Sequence, residues 1–358
     1  MFAKSTRHAA AGIALLASAA VSGRAQVVTP PEVYRAAVAT YVKSGVPAVA
    51  VKPLIGWDQK ALADAVIDMI KSGDAGLNEA AAVLHLEIGV AVAGISTASS
   101  LGHLDLGSQL IDGIQPTNPD VARNLSADRI AEIAKVRATW RGVAASAFLS
   151  VNDLDRARPF IAQALKITPG SAALLTLQGT ADEIEGAGYN PDDVESLMMK
   201  RRASQLRTRF LLSAEQLYRQ ALSVDPAYPL AQIRLGRVEF LFRNMKAAAA
   251  SLRKGSAAAE EPSHRYLAAM FMGAFLQEQN DLAGARAQFE RALELAPRSQ
   301  NAIVALAYVE LIAGRPDRSQ ALARGYLETP NSDDVWWGVK NGTLDHAGLK
   351  WLRQRVRR

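Results

Sequence analysis

The sequence predicts an all-α protein made of repeated antiparallel helix pairs, and three observations lead there. Apolar residues make up 49% of the chain and aromatics only 6%. Val, Ile and the aromatic residues do not gather into alternating runs, which favours helix over sheet. Self-similarity with a step near 34 residues runs through the carboxyl half, and small residues return at fixed places where two helices could cross closely.

Residues 1–25 form an export signal by pattern. Lys4 and Arg7 precede an uncharged stretch from Ala9 to Val21, and Gly23-Arg24-Ala25 puts small residues before a cut at Gln26. An uncleaved anchor is the rival reading, but about 13 apolar residues fall short of the roughly 20 that span a bilayer. The chain has no Cys, so neither lipid attachment after the apolar run nor a disulfide is available.

Residues 26–75 are expected to be a helical cap. Pro31 to Ser44 and Trp57 to Ser72 have amphipathic spacing and are separated by Gly45-Val46-Pro47, with Asp58 as a helix-capping candidate. Both would cover the open apolar end of the first repeat.

The repeats occupy two segments, a divergent one at 76–208 and a regular one at 209–333. In the clearest unit Gly273 is followed by Ala285, Phe289, Ala292 and Pro297. Gly273 and Ala285 would sit where two helices cross, Phe289 would fill the gap toward the next unit, and Pro297 would end the second helix. Leu235-Gly236, Ala248 and Leu252 give a second unit ending near Pro262. Ala214, Tyr218, Ala221 and Pro226 close another, and Ala157, Ile161, Ala164 and Pro169 repeat the same steps upstream. A faint copy lies around Leu104, Gly107 and Ile111.

The intervals locate the irregular parts. Ala214, Ala248, Ala285 and Ser319 are 34, 37 and 34 residues apart, whereas Gly107, Ala157 and Ala214 are 50 and 57 apart. Insertions of roughly 16 and 23 residues therefore belong to the amino half. One covers Pro116 to Ser126; the other runs from Gly186 to Pro191 into a helix expected to start at Asp192 and to pass Met199.

These units resemble the tetratricopeptide repeat, over roughly residues 80 to 330. The resemblance implies a right-handed superhelical α-solenoid of antiparallel helix pairs with helical caps. A more distant likeness, carried by Trp336-Trp337 near the last repeat, is to exported bacterial repeat proteins with no assigned activity.

Residues 334–358 are expected to form a capping helix with a basic tail, with Leu349, Leu352 and Val356 on one stripe. Five cations, Lys350, Arg353, Arg355, Arg357 and Arg358, crowd this end. Without Lys4, Arg7 and Arg24 of the signal, 38 basic residues face 35 acidic ones, so the body is nearly neutral and gives no sign of a nucleic-acid groove.

No motif of chemistry stands out: there is no Gly-x-Ser-x-Gly elbow, Walker loop, His-Glu-x-x-His pair or dinucleotide fingerprint. No enzyme activity, metal or cofactor is expected. The Gly-containing run from Gly94 to Gly107 lacks the Lys of a phosphate loop. A metal site from His85 and His103 would need the rings to converge, whereas each is expected half-buried on its own helix and bonded locally. Asn124-Leu125-Ser126 and Asn341-Gly342-Thr343 match glycan acceptor triplets, which arise often by chance.

What remains is surface. The resemblance implies a concave groove lined by the first helix of each unit, able to hold an extended peptide or partner helix. Its phase would turn Ile233, Arg237, Phe240, Met270, Gln277, Asn301 and Tyr308 toward a protein or peptide partner. Ile233 and Met270 stand where relatives that clamp a terminal carboxylate use Lys or Asn, so that mode is not implied. Two other readings stay open: docking of the basic terminal helix, with Trp351, on anionic membrane, and service as an accessory subunit of an enzyme complex.

Overall fold

The computed structural model describes residues 31–54, 57, 59–92, 97–114, 125–327 and 346–357, and every regular element among them is helical. In chain order the α-helices are α1 Pro31–Ser44, α2 Pro47–Val51, α3 Gln59–Ser72, α4 Ala75–Val92, α5 Thr97–Asp112, α6 Ala127–Ser150, α7 Leu154–Ile167 and α8 Ala172–Gly188. They continue with α9 Leu197–Val224, α10 Pro229–Leu241, α11 Met245–Ala258, α12 Pro262–Glu278, α13 Leu282–Leu295, α14 Gln300–Ile312, α15 Pro316–Leu327 and α16 His346–Val356. The expected signal, Asp58, most of the first insertion, both acceptor asparagines and Trp336-Trp337 lie outside the described residues.

The chain divides into two compact units: Met1–Ala147 with Ala162–Thr168 and Asp345–Arg358, and Phe148–Ile161 with Pro169–Leu344. In the first unit α4 is the central helix, touching α1, α2, α3, α5 and α16. Its length and apolar composition would let it cross a membrane, yet 72% of it is buried among these neighbours. Small residues permit that crowding. A side-chain carbon on Gly89 would lie 2.8 Å from Leu104, and one on Gly107 would lie 2.6 Å from the Trp140 ring. The Trp140 indole in turn donates to the Ala82 carbonyl at 2.9 Å.

Two carboxylates on α4, Glu79 and Glu87, are buried, and an uncompensated buried charge is costly. The cations that meet them come from α16. Arg353 grips Glu87 with two 2.8 Å hydrogen bonds, Tyr41 donates to the same carboxylate, and Arg355 reaches both Glu79 and Glu132. Leu349 and Leu352 of α16 are buried as its apolar stripe predicts. The terminal helix thus caps the amino-terminal helices and belongs to the first unit, where the sequence had suggested the end of the repeat array.

The second unit consists of stacked pairs, α8 with α9, α10 with α11, α12 with α13 and α14 with α15. Each second helix touches the first helix of the next pair, and successive first helices α8, α10, α12 and α14 touch one another. One contact recurs. A carbon added to Gly179, Gly236 or Gly273 would come within 2.7, 2.7 or 2.5 Å of Tyr218, Leu252 or Phe289. The expected crossing residues Ala157, Ala214, Ala248 and Ala285 are all fully buried, and Phe289 packs on Leu306 and Val309 of the next pair as anticipated. Ser319, on the last described second helix of this unit, is only half-buried.

The turns inside the last three pairs hold a left-handed residue five positions before the crossing residue. These are Arg243, Asn280 and Gly314, at φ 63°, 61° and 76°. Proline opens α10, α12 and α15, where a missing N–H loses no helical bond. The second insertion differs from its expected form. Pro191–Asp193 make a short 3-10 turn, and the new helix begins at Leu197 and runs on as α9 without a break. Tyr189 stacks on Phe210 at 5.8 Å and Gly186 lies against the same residue. Residues 197–206 therefore extend past the end of α8, and the expected boundary at 208 falls within one continuous helix.

Candidate first-helix binding face

The repeated glycine gives a register for the first helices. Residues three before, one after and four after it are Thr176, Thr180 and Glu183 on α8, Ile233, Arg237 and Phe240 on α10, and Met270, Ala274 and Gln277 on α12. One 34-residue step further on, the same places on α14 hold Val304, Tyr308 and Leu311. This stripe opens progressively. All three α8 residues are buried, Ile233 is buried beside half-buried Arg237 and Phe240, and the α12 residues are half-buried. On α14 the three are 56%, 51% and 53% exposed.

The closed end is held by charge. The Glu183 carboxylate, wholly buried, accepts from the Tyr218 hydroxyl at 2.6 Å, from Arg234 at 3.1 Å and from Arg237. Tyr218 also lies 3.5 Å from the Thr180 hydroxyl. Burial raises the Tyr218 pKa above the usual phenol range and lowers that of Arg234, while Arg237 is brought down to about 10. With its guanidinium on Glu183 and 5.1 Å from the Phe271 ring centre, Arg237 is a structural cation rather than a free contact for a partner.

The other sequence candidates separate accordingly. Ile233 packs with Leu230, Leu267 and Ala268 and is unavailable to a ligand, because the neighbouring first helix covers it. Phe240 meets Phe275 edge-on at 6.1 Å. Met270, Gln277 and Asn301 are half-buried, and Tyr308 is open. Sequence reasoning missed Val304, Leu311 and Ile312. Their signal was an α14 apolar all round: Ala302, Leu306 and Val309 fill the buried side and the missed residues the other.

Two further expectations bear on chemistry. His85 and His103 do converge, with their Nδ1 atoms 2.9 Å apart and the Tyr34 hydroxyl 2.8 Å from His85 Nε2. The expectation of purely local bonding was wrong because α4 and α5 pair face to face. Burial lowers the His103 pKa to about 4 and His85 well below its ordinary value, so the rings meet as neutral donor and acceptor. No group of three potential ligands that could hold a metal occurs among the described residues. On α16, Arg353 and Arg355 are spent on buried acids, which takes two of the five cations that a membrane-docking helix would use, and Trp351 lies 4.9 Å from the Lys135 ammonium.

The fold and this face define the class of the second unit, an all-α array of stacked helix pairs presenting one row of first helices. Its recurrent glycine and alanine positions are those on which the resemblance to the tetratricopeptide repeat rests. No family model matches the chain and no curated protein matches it. Among solved structures it is similar to a thermophilic TPR protein of Thermus thermophilus, at 21% identity and a TM-score of 0.39 over 63% of this chain and 97% of that one. It is also similar to PilF of Pseudomonas aeruginosa (17%, 0.40, 63% and 84%) and to PilW, a widely conserved type IV pilus biogenesis factor (18%, 0.41, 64% and 94%). With scores no higher than 0.41, the fold assignment rests on the helix-pair contacts themselves.

Proposed function

We propose that the chain is an exported scaffold that holds a protein or peptide partner on its first-helix face and carries out no reaction of its own. The observation behind this reading is the open stripe of α14. Val304, Tyr308 and Leu311, with Ile312 beside them, leave large apolar side chains in water next to half-buried Met270 and Gln277. Burying each such side chain yields about 1.5–3 kcal/mol, and an aromatic beside aliphatic pockets is a common anchor at interfaces. Export rests on the charged start, short apolar core and small residues before Gln26.

The direct test uses Val304→Ser with Tyr308→Ala, since Arg237 is committed to Glu183. Peptides selected from a displayed library against the native chain should bind this variant at least about tenfold more weakly, with melting unchanged. Retained affinity would contradict the reading, most clearly if binding were lost instead when Leu197, Met198 and Met199, all exposed at the start of α9, are changed to Ser. Intact mass of protein from the native host tests export: a mature chain beginning at Met1 would remove it.

A further inference from the structure

We infer a second binding site in the second unit, a cleft for a phosphoryl-bearing ligand on the side formed by the second helices. The cleft has a volume of about 540 Å³ and lies between α11 and α13 above α12. Arg253, Ser256 and Ala257 present one face of α11, Gln288 and Arg291 one face of α13, and Arg265 and Met272 line it from α12, with Ala259 in the adjoining loop. Three arginines, all exposed, thus line one cleft from three helices, together with a serine, a glutamine and apolar side chains.

The charge arrangement argues for an anion. Several arginines of this unit find acids on a neighbouring helix: Arg158 with Asp182, Arg219 with Glu239, Arg243 with Glu278, Arg315 with Glu310 and Arg318 with Glu290. Arg253, Arg265 and Arg291 have no ion pair among the described residues, and no acid lines the cleft. Glu260 and Glu261 lie in the adjoining loop and Glu294 one turn beyond Arg291, yet among the described residues no ion pair joins their carboxylates to the three cations. Like charges gathered without a counter-charge repel, and the shortfall is met by a ligand carrying two or more negative charges.

A phosphoryl group matches best. Guanidinium groups bind its oxygens in forked pairs, and the Ser256 hydroxyl and Gln288 amide can donate to those that remain. The volume exceeds what the charged group alone would fill, leaving room for a small uncharged portion against Met272 and Ala257. The site is independent of the first-helix face, so either can fail without the other.

Titration calorimetry of the full chain with inorganic pyrophosphate, near physiological ionic strength, tests the inference. The native chain should bind and melt at a higher temperature as pyrophosphate is added. Arg253→Gln with Arg291→Gln should weaken binding at least about tenfold, or roughly 1.4 kcal/mol, with unchanged circular dichroism. Arg286→Gln with Arg324→Gln removes the same charge outside the cleft and should change binding little. Vesicle capture by phosphatidic acid in phosphatidylcholine, lost with Arg253 and Arg291, would mark a lipid headgroup, whereas pyrophosphate binding without capture marks a soluble ligand. Equal losses in both double variants, no binding by the native chain, or tighter binding of a hexaglutamate peptide than of pyrophosphate would each overturn the inference.

Discussion

Glu183→Gln keeps the shape of the side chain and removes the one negative charge that Arg234 and Arg237 share. Glu183 is wholly buried, and the side chains of Arg234 and Arg237 are 3% and 30% exposed. Breaking a buried pair by removing one partner costs about 3–5 kcal/mol, because the other charge stays out of water uncompensated. Water reaches Arg237, so most of the penalty falls on Arg234 and about 3 kcal/mol is expected. Urea unfolding followed by circular dichroism measures it. A companion variant, Glu183→Leu with Arg234→Met and Arg237→Met, removes all three charges and should recover most of the loss, since apolar replacements of buried ion groups are often neutral. A Gln variant within about 1 kcal/mol of the native chain, or a triple variant worse than the single one, would refute the view that this end of the face is closed by a charge network in need of mutual compensation.

The neutral pair of His85 and His103 predicts acid sensitivity. The folded pKa of His103 lies at about 4, below the 6.5 of an unperturbed imidazole, so the unfolded chain takes up protons first. Stability should be fully present above pH 6.5 and fall as pH drops toward 4, by at most about 3 kcal/mol for this group; His103→Gln should flatten chemical-denaturation midpoints across that window, and an unchanged slope would count against the pairing. Ala285→Leu should cost about 1–3 kcal/mol by overpacking the buried crossing, seen as a lower melting temperature. Arg243→Gly should stabilise by about 0.5–1 kcal/mol, because Arg243 holds φ 63° and its exposed pair with Glu278 contributes little. A lower melting temperature for that variant would show that the pair matters more than the turn.

The helix pairs of the second unit were legible in the sequence because the contacts defining them are local and depend on size. Gly236 meets Leu252 and Gly273 meets Phe289 within one unit, and a methyl-sized or absent side chain is recognisable wherever two helices must nearly touch. The same rhythm placed Tyr308 on the open side of α14. Phase could not tell how open each place would be: Ile233 and Val304 occupy equivalent positions, yet one is buried and the other exposed, since exposure depends on what stacks above.

Charge partners were the part only tertiary structure decided. A repeat spacing contains no information that Glu87 is met by Arg353 or Glu183 by Arg234, because those pairs join distant stretches of chain with no common period. The terminal helix therefore read as a cap with a basic tail, without the partners of its cations, and two of those cations, Arg353 and Arg355, are the counter-charges to buried acids on α4. In the same way His85 and His103 read as separate, half-buried groups bonded on their own helices until α4 and α5 brought them together. Size complementarity repeats along a chain and can be read from it, whereas the neutralisation of a buried charge is set by whichever element folds back over it.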